Sequence, residues 1–247
     1  MQTENILAVS NINVSYKKKA EVLKNISFEM KRGEILGLVG ESGCGKSTLA
    51  KAILNILKPE SGEIVYDSVY PERTFRPQMV FQDPYSSLNP AKKVGWILEE
   101  PLRLKGGIPK EKRRQMVYEM LRKTGLDESF AERYPSQLSG GQRQRIAIAG
   151  ALMLEPELLI ADEPVSALDV TIQAQVVELL MKLHRDMNLS VLFISHDLRI
   201  VYQICDRVII MNHGEIVESG TVDEVYFSPQ HEYTKTLLYA AGIRQES

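Results

Sequence analysis

Gly40-Glu41-Ser42-Gly43-Cys44-Gly45-Lys46-Ser47 is the stretch on which the fold turns. It fits the pattern G-x-x-x-x-G-K-[ST] without a mismatch. Before it runs Glu34-Ile35-Leu36-Gly37-Leu38-Val39, an apolar segment with the look of a buried strand. After it, Ser47 to Leu57 predicts a helix, broken by Pro59 and Gly62. The residue types have a chemical reason. Glycines allow backbone conformations closed to other residues, so that successive N–H groups can face phosphate oxygens. The start of the following helix adds a favourable dipole. Lys46 has the reach for β- and γ-phosphates, and the Ser47 hydroxyl suits Mg²⁺. Gly40, Ser42, Gly43, Cys44, Gly45, Lys46, Ser47 and Thr48 are therefore the expected nucleotide-binding residues.

Further along, Leu158-Leu159-Ile160-Ala161-Asp162-Glu163 is an apolar strand that ends in two acids. Ligand sites in open α/β sheets lie at the carboxyl ends of the strands. Asp162 is expected at the Mg²⁺ held by Ser47, and Glu163 at an attacking water, as general base. Val191-Leu192-Phe193-Ile194-Ser195-His196 repeats the pattern, which gives His196 a place from which to donate to the γ-phosphate and hold water and Glu163 in line. Gln82 closes the short strand Met79-Val80-Phe81. Its amide suits contact with Mg²⁺ or the water, as a sensor of the γ-phosphate more than as a catalyst. An isolated histidine, such as His184 or His213, carries no such implication.

Strand signals at 6–9, 12–16, 22–23, 26–30, 34–39, 78–81, 158–161, 191–195 and 208–211 are separated, in the later half, by helical patterns at 172–187 and 198–204. That alternation implies a mainly parallel sheet with crossover helices. Asn212-His213-Gly214 reads as a hairpin turn before Glu215–Glu218. The expected organisation is an α/β core from 1–82 and 151–225, an N-terminal antiparallel β-layer, a helical subdomain at 83–150 and a short extension at 226–247. Composition is ordinary for a globular chain, with 44% hydrophobic and 25% charged residues in 247. A formal net charge of −2 gives no basic excess to attract nucleic acid. Cys44 and Cys205 make no disulfide framework and have no metal-ligand spacing. The first residues lack the pattern of a secretion signal, and no apolar run approaches the roughly 20 residues that cross a bilayer.

Leu138-Ser139-Gly140-Gly141-Gln142 makes the pattern specific. With Tyr16, the 40–47 loop, Gln82, Asp162-Glu163, Ser166-Ala167-Leu168-Asp169 and His196, in that order, the chain resembles the ABC ATPases over nearly its whole length. The resemblance implies a P-loop NTPase (RecA-like) core that binds ATP and Mg²⁺ and works as a head-to-tail dimer. Ser139, Gly140, Gly141 and Gln142, at the start of a helix, would serve the nucleotide of the opposite subunit, since a helix start binds anions. Asp169 would communicate across that interface, and Tyr16 would stack on adenine.

Gln82-Asp83-Pro84-Tyr85-Ser86-Ser87-Leu88-Asn89-Pro90 and Ser228-Pro229-Gln230-His231-Glu232-Tyr233-Thr234-Lys235-Thr236-Leu237-Leu238 resemble the ATPases of peptide and nickel importers. That subfamily implies a second ATPase subunit, as a paralogous heterodimer before a homodimer. It implies two integral-membrane permease subunits, an extracytoplasmic solute-binding protein acting indirectly, and residence on the cytoplasmic face of the membrane. Longer peptide-importer ATPases extend further and some carry a cysteine cluster in the tail. The sequence to Ser247 has none, which tilts the resemblance slightly to members that serve nickel or other metal chelates. Tyr85, Leu88, Trp96, Ile97 and Leu102 are candidates for the permease contact or for plain core packing. The alternative within the family is an exporter or lipoprotein-release ATPase. An ABC protein of DNA repair or translation would show long heptads or two cassettes, and a dinucleotide-binding oxidoreductase would not carry Lys46-Ser47.

Replacing Tyr16 by Ala is expected to weaken ATP binding about fivefold, the worth of one aromatic stack, with a smaller effect on turnover. Titration of the variant with ATP checks this, and an unchanged dissociation constant removes Tyr16 from the site.

Overall fold

The computed structural model describes residues 4–15, 21–67, 77–83 and 87–243. Tyr16 and Tyr85 lie outside the described residues. In chain order the described residues form β1 (Asn5–Ser15), β2 (Glu21–Lys31), β3 (Ile35–Val39), α1 (Lys46–Ile53), β4 (Ser61–Tyr66), β5 (Gln78–Val80), α2 (Val94–Lys105) and α3 (Lys110–Lys123). Two short 3-10 turns (Glu128–Glu132 and Pro135–Gln137) lead to α4 (Gly140–Leu152), β6 (Leu158–Asp162), α5 (Val170–Met187), β7 (Ser190–Ile194) and α6 (Leu198–Ile204). The chain continues through β8 (Arg207–Asn212), β9 (Glu215–Thr221), α7 (Val222–Phe227) and α8 (Glu232–Ala240).

Two compact units result. The first comprises residues 1–77, 157–163 and 189–247. Its main sheet runs in the order β6-β7-β3-β8-β9. The pairs β6/β7, β7/β3 and β3/β8 are parallel, and β9 closes the edge antiparallel to β8. Strands β3 (ILGLV), β6 (LLIAD) and β7 (SVLFI) are buried at every residue, which is why their sequences are near-continuous apolar runs with no alternation. The β8–β9 connection turns on His213 and Gly214, with φ of 46° and 83°, the pair of left-handed residues that a two-residue hairpin requires.

A second sheet of the same unit, in the order β2-β1-β4, is antiparallel throughout. β4 has no counterpart among the expected strands. It is an edge strand, mostly exposed, so its residues carry no apolar alternation to betray it. Helix α1 ends at Ile53, short of the expected Leu57, because Asn55 turns left-handed at φ 56° well before Pro59.

The second unit comprises residues 78–156 and 164–188. It holds the helical segment expected at 83–150 together with α5. Leu88 and Leu102 are 5% and 1% exposed, so both belong to its core and neither is open to a permease. Trp96 is half-buried under two cations, with Lys92 Nζ 4.8 Å and Arg103 Cζ 4.2 Å from its ring centre. Among the described residues, no helix is long and apolar enough to cross a membrane.

Phe193 lies on β7 and is fully buried. Phe193→Ala is expected to lower unfolding free energy by about 3–5 kcal/mol. Urea titration should show the midpoint falling at unchanged slope.

Candidate functional site

β3 ends at Val39 and the loop to α1 begins at Gly40. Local geometry demands glycine at both ends of this loop. A Cβ at position 40 would lie 2.2 Å from the Met211 carbonyl oxygen, and Gly45 has a φ of 111°. Gly45 is also the N-cap of α1, and no side chain caps that helix. Its first N–H groups have no partner within the helix, which leaves Lys46, Ser47 and Thr48 N–H facing a place for an anion.

Lys46 is 6% exposed. Its ammonium donates to the Gly40 carbonyl at 2.7 Å and to the Glu41 carbonyl at 2.9 Å, with Cys44 Sγ at 3.8 Å. An ammonium has three protons, so two brace the loop carbonyls and the third meets the weak sulfur acceptor of Cys44, which a phosphate oxygen would outcompete. Glu41 O also accepts from Cys44 N–H at 3.2 Å, and Cys44 O accepts from Gly214 N–H at 3.1 Å, which ties the loop to the β8–β9 turn. Cys44 is buried within the loop.

The carboxylates arrive on β6. Ser47 Oγ donates to Asp162 Oδ2 at 3.0 Å. Burial pushes the Asp162 carboxyl above its ordinary range, the Ser47 hydrogen bond opposes this, and the neighbouring Glu163 charge adds to it. A hydroxyl and a carboxylate are hard oxygen donors, and an ionised carboxylate this deeply buried gains from a cation, so the pair fits Mg²⁺.

In a regular strand Asp162 and Glu163 would point to opposite faces. Glu163 breaks the alternation with φ 47°, an unusual conformation for a residue with a long side chain. Its N–H still donates to Ile194 O at 2.9 Å, so the residue stays pinned to the end of β7. There His196 follows, and its Nδ1 lies 3.3 Å from Glu163 Oε2. His196 is exposed while Glu163 is mostly covered. Ser195, buried, accepts the Asp197 N–H at 3.0 Å, and Asp197 in turn caps α6 by accepting from Arg199 N–H. Ser195 thus shapes the turn that presents His196. Sequence reasoning assigned it no part, because a serine between a strand and an Asp-capped helix carries no distinctive spacing.

The remaining expected residues lie in the second unit. Ser139 caps α4 by accepting from Gln142 N–H at 3.3 Å, while Gln142 Oε1 accepts from Ser139 N–H at 3.0 Å. Gly140 and Gly141 N–H, in the same first turn, have no partner within the helix. A Cβ on Gly141 would come 2.5 Å from Ile172 Cγ2, so α4 and α5 meet through a glycine. Asp169 caps α5, accepting from Ile172 N–H at 3.0 Å, and is exposed. Gln82 follows β5 and is exposed.

A glycine loop between a parallel strand and a helix, with a lysine, a serine and two acids at the strand ends, defines a phosphate-loop nucleotide-hydrolysing cassette. Residues 23–166 match the model of the ABC transporter family. The chain is 48% identical over 233 residues to the dipeptide transport ATP-binding protein DppF of Escherichia coli K12, which covers 91% of this chain and 70% of that protein. It is 44% identical to the oligopeptide transport ATP-binding protein OppF of Bacillus subtilis, across 98% of this chain and 84% of that one. The ATP-binding cassette MJ0796, solved as a dimer in a post-hydrolysis state bound to ADP and Pi, superposes with a TM-score of 0.76 at 32% identity, covering 87% of this chain and 98% of that one. The chain belongs to the ABC transporter family and is an ATP-binding subunit whose ATPase activity is coupled to transport.

The raised affinity of Asp162 for its proton carries a cost to folding when the carboxyl ionises. The folded chain binds that proton more tightly than the unfolded chain does, so stability falls as pH rises above the ordinary carboxylate range. In EDTA, Asp162→Asn is expected to raise the thermal midpoint by a few degrees at pH 8, with the gain vanishing toward pH 4. Calorimetry across that range checks it.

Proposed function

We propose that this chain powers an ABC importer of short peptides. It acts as one of a pair of cassettes on the cytoplasmic face of the membrane, beneath two permease subunits fed by an extracytoplasmic solute-binding protein. The peptide names of DppF and OppF support peptides over the metal chelates that the resemblance at 82–90 and 228–238 also allows. A second, paralogous ATPase subunit is the preferred partner, in keeping with that subfamily.

In this reading the loop N–H groups from Gly40 through Thr48 and the Lys46 ammonium bind the β- and γ-phosphates. Ser47 and Asp162, with Gln82, would hold Mg²⁺, which would neutralise phosphate charge. Tyr16 stacks on adenine. Glu163 accepts the proton of the attacking water as its oxygen bonds to the γ-phosphorus and the bond to the ADP oxygen breaks. His196, 3.3 Å from that carboxylate, keeps it aimed and faces the γ-phosphate. Gln82 reports the γ-phosphate to the helical unit. Ser139, Gly140, Gly141 and Gln142 supply N–H groups to the nucleotide of the opposite cassette, with Asp169 beside that interface. Hydrolysis then removes the contacts that hold two cassettes together.

The observation that carries the reading is the convergence, within one unit, of Lys46 on the loop carbonyls, Ser47 on Asp162, and Glu163 on His196. Glu163→Gln should lower kcat by about 10²–10⁴-fold and leave an ATP-bound dimer stable to gel filtration. Hydrolysis at the parental rate refutes the base. Lys46→Ala should lose nucleotide affinity outright. With the permease in liposomes, short peptides and not nickel chelates should stimulate the parental ATPase.

A further inference from the structure

We infer that Tyr233 is a positioning residue for the phosphate loop, gripping the peptide plane on which Lys46 rests. Its phenol oxygen, on α8, accepts the N–H of Glu41 at 3.2 Å. That N–H belongs to the same peptide unit as the Gly40 carbonyl, which accepts from Lys46 Nζ at 2.7 Å. The unit is planar and stiff, and its N–H and C=O point in opposite directions. Rotation that releases one end therefore swings the other. A phenol at the N–H end fixes where the carbonyl points, and so where the ammonium stands. An accepted N–H also polarises the carbonyl across the same plane and strengthens the bond to Lys46.

The tyrosine is itself held in place. Glu218 on β9 accepts Gln230 N–H at 2.7 Å and His231 N–H at 3.1 Å, one on each carboxylate oxygen. His231 then caps α8, its Nδ1 accepting from Tyr233 N–H at 3.1 Å. At the far end of α8, Arg199 donates to Ala241 O at 3.3 Å. A continuous set of contacts thus leads from Glu218 through residues 230–231 and Tyr233 to the 40–41 peptide and Lys46, all inside the first unit. None of the residues proposed to bind or hydrolyse nucleotide lies at 228–238, and bracing the loop gives that segment a role.

The inference rests on the reading that Lys46 meets nucleotide phosphate, and goes beyond it by assigning a residue distant in sequence to that lysine's placement. The cradle receives ATP and ADP alike, so a looser cradle costs binding of both and spares the chemical step. In the purified full chain, Tyr233→Phe keeps the ring and deletes the acceptor. KM for MgATP and Kd for MgADP should each rise about three- to tenfold, the worth of one hydrogen bond. kcat should move less than about twofold, and the nucleotide-free melting temperature should hold steady. Glu218→Gln leaves one acceptor oxygen where two are used, so it should raise both constants less, and add nothing in the Tyr233→Phe background. Parental affinity for both nucleotides in Tyr233→Phe overturns the inference. So does a loss that comes with a fall of several degrees in melting temperature, or a Glu218→Gln effect undiminished in the double variant. Lys46→Ala separates the two ideas. If it keeps parental MgADP affinity, the phosphate reading itself fails. If it loses affinity while Tyr233→Phe does not, only the role of Tyr233 falls.

Discussion

A buried ammonium group facing two backbone carbonyls gives the phosphate loop its shape. Lys46 is almost out of reach of water, so its charge has to be met from within, and the Gly40 and Glu41 carbonyls meet it. The loop can curl this tightly only because position 40 has no side chain to strike Met211 O and Gly45 can adopt a positive φ. The same curl leaves the start of α1 uncapped by any side chain. Charge, backbone curvature and an open helix start are three consequences of one arrangement, and together they make a concave surface that favours phosphate.

The placing of the two acids depends on how neighbouring strands end. The parallel pairing of β6 with β7 carries through to Asp162 opposite Ile194, and the Glu163 N–H adds one more bond to the same Ile194. That bond holds the left-handed turn at Glu163, so that two consecutive acids are freed from strand alternation and face different partners, one toward Ser47 and one toward His196. Strain at Glu163 is sustained by a sheet buried on both faces, where no nearby register would preserve the contacts.

The second unit is organised on different terms. Ser139 and Gln142 cap each other, and Gly141 lets α4 meet Ile172 of α5 without a side chain between them. A side chain at that glycine would strike the Ile172 methyl and force it to move. The pentapeptide 138–142 therefore has a packing reason for its residues as well as the anion-binding one that family membership suggests.

Much of this protein is legible in its residues because the physics is local. The glycine spacing before Lys46-Ser47, the apolar runs that end in Asp162-Glu163 and His196, and the His213-Gly214 turn each follow from backbone preference or burial over a few neighbours, and the parallel strands appear where those signals stand. Residues that act through distant partners give no such signal. The edge strand β4 has too little apolar alternation to declare itself, Leu88 and Leu102 owe their burial to helices that only the folded unit brings around them, and Ser195 owes its role to the turn it closes. Tyr233 lies 192 positions from Glu41, and the hydrogen bond between them exists because β9 and α8 return the chain to the phosphate loop. Local sequence selects conformations; which remote groups then meet is settled by the packing of whole elements, because a hydrogen bond between residues so far apart forms only once the sheet has offset the entropy of bringing them together.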